Sequence, residues 1–234
     1  MKKIIRNSLN FIHTHADSLI GFLLFAGGLY TYTLTLAPTV LEGDKALFQY
    51  TPYVLGVTYP TGFPLYILLG KLWLTIFPFG DIAWRMNFFS ALCGAAALPL
   101  LYAAIQRLFE NRWAALTTVL IFATLPTFWH WSTVAKTYPL NMLLLAGILY
   151  LLTLALEEQN ASPRLPRTLF LAIAILLLGL QISVHNTAIL LIPGLLLFGW
   201  LNFRVYLFNK KLFLRYALLL ILPGLFYLSS SVLL

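Results

Sequence analysis

Long apolar stretches separated by short polar segments dominate the order of residues along this chain. A helix that crosses a membrane needs about 20 consecutive, mostly apolar residues, and eight stretches approach this length. In chain order they cover residues 18–37, 62–79, 84–106, 113–128, 139–156, 168–184, 186–201 and 216–234. The pattern predicts an all-α, polytopic membrane protein in which residues 1–234 form a single transmembrane domain.

A polar cluster separates two of these stretches. One continuous helix over residues 168–201 would be about 50 Å long at a rise of 1.5 Å per residue, whereas the hydrocarbon core of a bilayer is about 30 Å thick. The chain must therefore fold back between the two stretches. The polar residues that mark this turn are Gln181, Ser183, His185, Asn186 and Thr187.

The composition agrees with a membrane protein and excludes several other classes. Hydrophobic residues make up 61% of the 234 residues, and charged residues make up only 9%, against about 25% in a soluble domain. So few charges cannot cover the surface of an ordinary water-soluble enzyme, and a disordered chain needs the opposite composition. The single cysteine, Cys93, excludes a disulfide scaffold and a cysteine-based metal site.

The distribution of basic residues predicts the orientation in the membrane, because lysine and arginine collect in cytoplasmic loops. If the stretch 62–79 does not cross and the N-terminus is cytoplasmic, eleven of the fifteen basic residues lie inside. These eleven are Lys2, Lys3, Arg6, Arg107, Arg112, Arg164, Arg167, Arg204, Lys210, Lys211 and Arg215. If the stretch did cross, every later cluster would lie outside, so we predict seven spans and a cytoplasmic N-terminus.

The stretch 62–79 then belongs to a long first outer loop, 38–85. Lys71 lies in its middle, and a charge at the centre of a bilayer costs about 3 kcal/mol on insertion scales. We therefore expect an amphipathic helix on the outer face of the membrane. The last apolar stretch runs to Leu234 without a polar flank, from which we expect the chain to be truncated and to continue in a longer protein.

Two carboxylates in the first outer loop are candidates for catalysis. Asp44 lies a few residues beyond the first predicted span, where a carboxylate could meet a lipid-borne substrate, and Glu42 lies close by. Gly43, between them, permits a tight turn. The residues alone leave two interpretations open, since an Asp44–Lys45 pair is also typical of a solvated turn.

Four basic residues stay outside against the overall bias, namely Lys45, Lys71, Arg85 and Lys136. They could bind an anionic group such as a phosphate at the membrane surface, or only extend toward lipid headgroups. His185, in the predicted outer turn, could bind a phosphate or a sugar hydroxyl, or only cap the turn. No His-Glu-x-x-His pattern supports a metal site, so no cofactor is predicted. The net charge of +8 follows the loop bias, and no nucleic-acid partner is expected.

Three motifs in and around the first outer loop resemble those of a known enzyme family. They read Leu-Ala-Pro-Thr-Val-Leu-Glu-Gly-Asp over residues 36–44, Tyr-Pro-Thr-Gly-Phe-Pro-Leu-Tyr over 59–66 and Trp-Arg-Met-Asn-Phe-Phe-Ser-Ala over 84–91. Together they resemble a bacterial and animal family of membrane glycosyltransferases of the GT-C superfamily, similar to protein O-mannosyltransferases. The resemblance extends from about residue 30 to residue 108.

This resemblance implies a GT-C-like membrane fold and an inverting transfer of a sugar, such as mannose, from a polyprenyl-phosphate donor. The acceptor is a hydroxyl of a protein or glycan on the non-cytoplasmic face. Asp44 matches the general base, with Glu42 as a possible helper. The residues implied to contact the donor phosphate or substrate are Lys71, Arg85, Lys136, Tyr59, Asn87, Tyr138 and His185. Membrane lipid is a further partner, and the bacterial cytoplasmic membrane is the expected location.

The chain departs from the family pattern at three positions. Leu47 and Lys136 stand where the family often has acids, and Tyr59 stands where it has histidine. Two other functions therefore remain open: a transporter or lipid flippase, and a non-catalytic scaffold that keeps the fold. A transporter would need charges or broken helices at mid-membrane, and the predicted spans carry almost no such charge.

Overall fold

The computed structural model describes residues 2–59, 62–157, 167–207, 209, 211 and 214–221. These residues are mostly helical, and no strand occurs among them. The helices are α1 (Lys2–Leu34), α2 (Asp44–Val54), α3 (Pro64–Ile76), α4 (Ile82–Phe109), α5 (Arg112–Thr124), α6 (Pro126–Ser132), α7 (Thr137–Glu157), α8 (Arg167–Val184), a 3-10 helix (Asn186–Leu191) and α9 (Ile192–Leu207).

Helix α4 is the centre of the fold. It packs against α1 on one side and α7 on another, and α8 packs against the far side of α7. Small buried residues on α4 allow this close packing, among them Ala91 and Ala95. A Cβ atom added to Gly94 would lie 2.5 Å from Oγ of Ser132 in α6, so only glycine permits this approach.

Four helices in the described residues are long and apolar enough to cross a membrane. They are Ile82–Phe109, Thr137–Leu156, Arg167–Val184 and Asn186–Arg204. These helices indicate an integral membrane protein, as predicted.

The count of seven spans is not supported by the described residues. Helix α1 ends at Leu34, inside the predicted span 18–37, and it is not among the four. Of the predicted last span, 216–234, only the part up to Ile221 lies within the described residues.

The predicted span 113–128 is broken into two helices. The axes of α5 and α6 differ in direction by 65°. If this bent pair is taken as a single span, it is a fifth candidate beside the four helices above. Leu125 at the break has φ −57° and ψ 128°, because the ring of Pro126 disfavours the helical conformation in the residue before it.

The first outer loop contains two helices, of which only the second was predicted. Helix α3 has 13 residues and is about 20 Å long, too short to cross the hydrocarbon core. It ends where Phe77 precedes Pro78. A Cβ atom on Gly70 of α3 would lie 2.8 Å from Pro52 in α2 and 2.9 Å from Met86 in α4. This glycine therefore lets α2, α3 and α4 pack together.

Candidate active site

Asp44 is the first residue of α2. Gly43 precedes it with a φ of 62°, a left-handed backbone angle that glycine adopts without steric cost. A carboxylate in the first turn of a helix is stabilised by the unpaired backbone N–H groups there. The Asp44 side chain is 63% exposed, so the carboxylate is accessible to a ligand.

Two side chains from distant parts of the chain contact the Asp44 carboxylate. The Tyr59 hydroxyl donates a hydrogen bond to Oδ1, and Nζ of Lys136 lies 3.4 Å from Oδ2. The Tyr59 hydrogen bond, followed by the positive charge of Lys136, lowers the pKa of Asp44 below its ordinary value. The same hydrogen bond raises the pKa of Tyr59. At neutral pH the carboxylate is therefore ionised and the phenol is protonated.

The ammonium of Lys136 is held by aromatic rings. Its side chain is only 10% exposed, and Nζ lies 4.5 Å from the ring centroid of Phe48 and 5.9 Å from that of Trp131. The faces of aromatic rings attract cations. A flexible side chain is in this way given a defined position beside Asp44.

Two polar side chains of α4 hold the backbone that carries Lys136. Oγ of Ser90 accepts a hydrogen bond from the Lys136 N–H at 3.2 Å. Oδ1 of Asn87 accepts one from the Ala135 N–H at 2.9 Å. The segment between α6 and α7 is therefore anchored to the central helix.

Asn87 also anchors the chain that leads into α2. Its Nδ2 donates to the carbonyl oxygen of Ala37 at 2.8 Å, and its Oδ1 accepts from Nε2 of Gln49 at 2.9 Å. Asn87 is fully buried. The structure therefore gives Asn87 the contacts of a positioning residue that links the two segments of the Asp44–Lys136 ion pair, and it does not place its side chain on the accessible surface of the site.

Aromatic side chains form a wall next to the ion pair. The ring centroid of Tyr138 lies 5.0 Å from that of Trp131 and 5.3 Å from that of His185. Phe63 continues the wall, with its centroid 6.0 Å from His185 and 5.3 Å from Phe48. Apolar, largely aromatic walls with a few polar groups are typical of sites that bind small molecules.

His185 offers a neutral hydrogen-bond donor at this wall. The Thr187 N–H donates to Nδ1 of His185 at 3.3 Å, and Oγ1 of Thr187 lies 2.8 Å from the same nitrogen, so His185 caps the 3-10 helix through Nδ1. When Nδ1 accepts, the neutral ring carries its proton on Nε2. Burial, and then the positive charge of Lys136, lower the pKa of His185 below its ordinary value. The imidazole is therefore uncharged at neutral pH.

Two of the three other candidate cations, Lys71 and Arg85, contact backbone carbonyls. Nζ of Lys71 donates to the Tyr53 oxygen at 2.6 Å. Nη1 of Arg85 donates to the oxygens of Leu74 and Phe77, each at 3.0 Å. These carbonyls lie at the C-terminal ends of α2 and α3, where backbone oxygens lack helical partners. In the described part of the chain, no contact joins either cation to the Asp44–Lys136 ion pair.

The other acids of the outer loop lie apart from this cluster. Glu42 is exposed two residues before Asp44, and its role as a helper remains a prediction. Asp81 caps α4, since its Oδ1 accepts from the Trp84 N–H at 2.7 Å. Asp44 is therefore the outer-loop carboxylate that the structure places between a phenol and an ammonium.

Sequence reasoning missed five contributors to the site, namely Phe48, Gln49, Phe63, Ser90 and Trp131. Gln49 and Ser90 offered a signal, since buried polar side chains need partners. Within the described ranges, no group of three or more His, Cys, Asp or Glu side chains could hold a metal ion. The expected independence from a cofactor remains a prediction.

Known proteins resemble this chain over most of its length. Residues 44–206 match the family described as Protein O-mannosyl-transferase TMEM260 N-terminal domain. Protein O-mannosyl-transferase TMEM260 of Mus musculus is 34% identical over 199 residues, which are 85% of this chain and 28% of that protein. Protein O-mannosyl-transferase tmem260 of Dictyostelium discoideum is 25% identical over 200 residues, which are 81% of this chain and 24% of that protein.

The chain thus spans about a quarter of the length of these curated relatives. No solved structure matches it. The matched range includes the whole cluster from Asp44 to His185. This chain belongs to the family of the Protein O-mannosyl-transferase TMEM260 N-terminal domain.

Proposed function

We propose that the protein transfers a mannosyl residue from a polyprenyl-phosphate donor to a hydroxyl group of a protein. The names of the relatives support mannose as the sugar and a protein as the acceptor. The amphipathic nature of a polyprenyl-phosphate sugar suits a site at the edge of a bundle of apolar helices. The observation that carries the proposal is the accessible Asp44 carboxylate beside the Lys136 ammonium and an aromatic wall.

The proposed reaction is a single displacement with inversion. The ionised Asp44 takes the proton of the acceptor hydroxyl as its oxygen forms a bond to the anomeric carbon. The bond between that carbon and the phosphate oxygen breaks, and the phosphate leaves with the electron pair. Lys136 stabilises the negative charge of the departing phosphate. His185 donates from Nε2 to an oxygen of the sugar or the phosphate.

The other predicted residues take supporting roles in this proposal. Tyr59 orients the Asp44 carboxylate, and Tyr138 forms part of the wall for the sugar. Asn87 and Arg85 position the chain around the site, and Lys71 holds the end of α2. The fixed ammonium of Lys136 supplies the cation that a phosphate needs, so the reaction is proposed to require no divalent metal.

We also propose the membrane arrangement that the charge distribution predicts. The N-terminus is cytoplasmic, the long apolar helices cross a bacterial cytoplasmic membrane, and α2 and α3 lie on the outer face. The active site then faces the non-cytoplasmic side, where a polyprenyl-linked sugar and an exported protein can meet.

The test is a transfer assay with the full-length protein in lipid vesicles. Radiolabelled polyprenyl-phosphate mannose and a serine- and threonine-rich acceptor protein are added, and label in the acceptor is measured with and without a chelator. We expect transfer from the lipid-linked donor in both conditions. Transfer from a nucleotide-linked mannose but not from the lipid-linked donor would contradict the proposed donor class.

One observation favours a second candidate function. The Asp44 carboxylate is already paired with Lys136, which would suit a site that binds a lipid-linked sugar without turnover. In that case the full-length protein would bind the donor, and the assay would show no label in any acceptor.

A further inference from the structure

The Lys136 ammonium has one fixed position, where it can pair either with the Asp44 carboxylate or with the phosphate of a ligand. It contacts the Asp44 carboxylate at 3.4 Å and lies over the Phe48 ring. The Lys136 side chain is 10% exposed, whereas that of Asp44 is 63% exposed. A ligand therefore approaches the ion pair from the carboxylate side.

The groups around Asp44 define what such a ligand meets. From the turn before α3, Tyr59 donates to the carboxylate. Next to Asp44 in sequence stand Lys45 and the exposed Glu42. From the end of α8, the neutral His185 contributes a hydrogen-bond donor. Lys136 is thus the cation that directly contacts the carboxylate among the described residues.

A phosphate bound at Lys136 changes the electrostatics of Asp44 in two ways. The phosphate shares the ammonium, so the carboxylate loses part of its attraction to a positive charge. The phosphate also brings a negative charge close to the carboxylate. Both effects favour uptake of a proton by a carboxylate, so both make Asp44 a stronger base.

We propose that Lys136 couples donor binding to activation of the base: the donor phosphate takes over the ammonium, and Asp44 becomes basic only in the donor-bound site. This proposal rests on the proposed function, since it requires a phosphate-containing donor. It assigns an order to the reaction, in which the donor binds before the acceptor hydroxyl is deprotonated.

Thermodynamic linkage makes the proposal testable without turnover. If a bound phosphate favours protonation of Asp44, then protonation of Asp44 must favour phosphate binding by the same factor. Asp44→Asn removes the competing charge and keeps the size of the side chain. We therefore expect this inactive variant to bind polyprenyl phosphate more tightly than the unchanged protein does, by at least about 5-fold, the lower end of usual couplings.

The experiment measures the dissociation constant of polyprenyl phosphate, without sugar, for the full-length protein in nanodiscs. Glu110→Gln is the matched control, because it removes an exposed carboxylate at the C-terminal end of α4, away from Lys136, and the affinity of this variant should be unchanged. Lys136→Met should weaken binding and abolish the gain from Asp44→Asn in the double variant. Inorganic phosphate is tested alongside, and a gain seen with it as well would assign the coupling to the phosphate group alone.

Equal or weaker binding by Asp44→Asn would overturn the coupling while leaving the donor class intact. No binding of polyprenyl phosphate to the unchanged protein would contradict the proposed function itself.

Kinetics supply a second readout that a purely structural lysine would not move. The fall of kcat/KM at acidic pH reports the pKa of the base in the free site, and the fall of kcat reports its pKa in the donor-bound site. The fall of kcat should therefore occur at higher pH. Lys136→Met should raise the pH at which kcat/KM falls and so reduce the difference between the two pH values. Lys136→Arg should preserve this difference. Equal pH values for the two falls in the unchanged protein would refute the coupling.

Discussion

The chemistry of this site depends on a few side chains around one carboxylate. Asp44, Tyr59 and Lys136 come from three separate segments, yet they form a connected chain of contacts. The hydrogen bond from Tyr59 is the largest cause that lowers the pKa of Asp44. A lowered pKa means that the carboxylate stays ionised at lower pH than an ordinary aspartate does.

Replacement of Tyr59 tests this contact. Without the phenol, the pKa of Asp44 moves up toward its ordinary value, and its charge is lost at higher pH. In Tyr59→Phe we therefore expect the acid limb of kcat/KM to shift upward by a fraction of a pH unit, measured with full-length protein. Tyr50→Phe, an exposed tyrosine on the same helix as Asp44, should leave the profile unchanged. Identical profiles for Tyr59→Phe and the unchanged protein would show that the phenol does not control Asp44.

Sequence reasoning at this scale predicted several side chains that the structure places around Asp44, but it did not predict which contacts they make. Tyr138 and His185 were predicted as contacts, and they lie together at the site. Arg85 and Lys71 were predicted on charge alone, and the structure shows them donating to backbone carbonyls. The sequence shows which residues are charged. Which backbone carbonyls need a hydrogen-bond donor depends on where the helices end and how they pack.

At the scale of elements, the site depends on how α4 holds two loops. Asn87 uses both ends of its amide for contacts with the chain before α2, with Gln49 and with the segment before α7. Neither loop can shift without breaking a buried hydrogen bond. The position of Asp44 relative to Lys136 is thus a property of the central helix.

This predicts a stability effect for Asn87. Asn87→Leu leaves the Ala37 oxygen and the Ala135 N–H without this partner and removes one of the two hydrogen bonds of Nε2 of Gln49. Each buried group left unpaired costs about 1–3 kcal/mol. We expect the free energy of unfolding in detergent to fall by about 2–4 kcal/mol. Asn202→Leu, at an exposed position where the amide bonds only within its own helix, should change stability little. An Asn87→Leu protein of unchanged stability that has lost only donor affinity would instead indicate direct contact with substrate.

The helices themselves were partly predictable. The lengths of the apolar stretches predicted α4, α7 and α8. Helix α3 is short because Pro64 and Pro78 lie at its ends. Helix α2 was missed because it is short and its pattern mixes polar and apolar residues. The break between α5 and α6 was missed because Pro126 lies within a mostly apolar stretch that carries no charged residue.

At the scale of the whole molecule, the predicted class of protein and the predicted number of spans have different outcomes. The prediction of an all-helical membrane protein is confirmed by the four long apolar helices. The count of seven spans is not supported by the described residues, in which α1 is not among the candidate spans. The predicted last stretch, 216–234, lies mostly outside these residues. Apolar length alone does not distinguish a straight span from a bent pair.

Orientation is the prediction at this scale. An impermeant maleimide applied to intact cells should label Glu42→Cys but not Arg204→Cys, because the outer loop faces away from the cytoplasm and the basic end of α9 faces it. The native Cys93 is buried and should give little background, which the unchanged protein controls. Labelling of Arg204→Cys alone would reverse the proposed topology.

The most direct test of the central claim compares two neighbouring carboxylates in the mannose transfer assay. In full-length protein with radiolabelled polyprenyl-phosphate mannose, Asp44→Asn should lower kcat by about 100-fold or more, the usual contribution of a general base. Glu42→Gln should retain most of the activity. Transfer by Asp44→Asn at the rate of the unchanged protein would contradict the assignment of this carboxylate as the catalytic base.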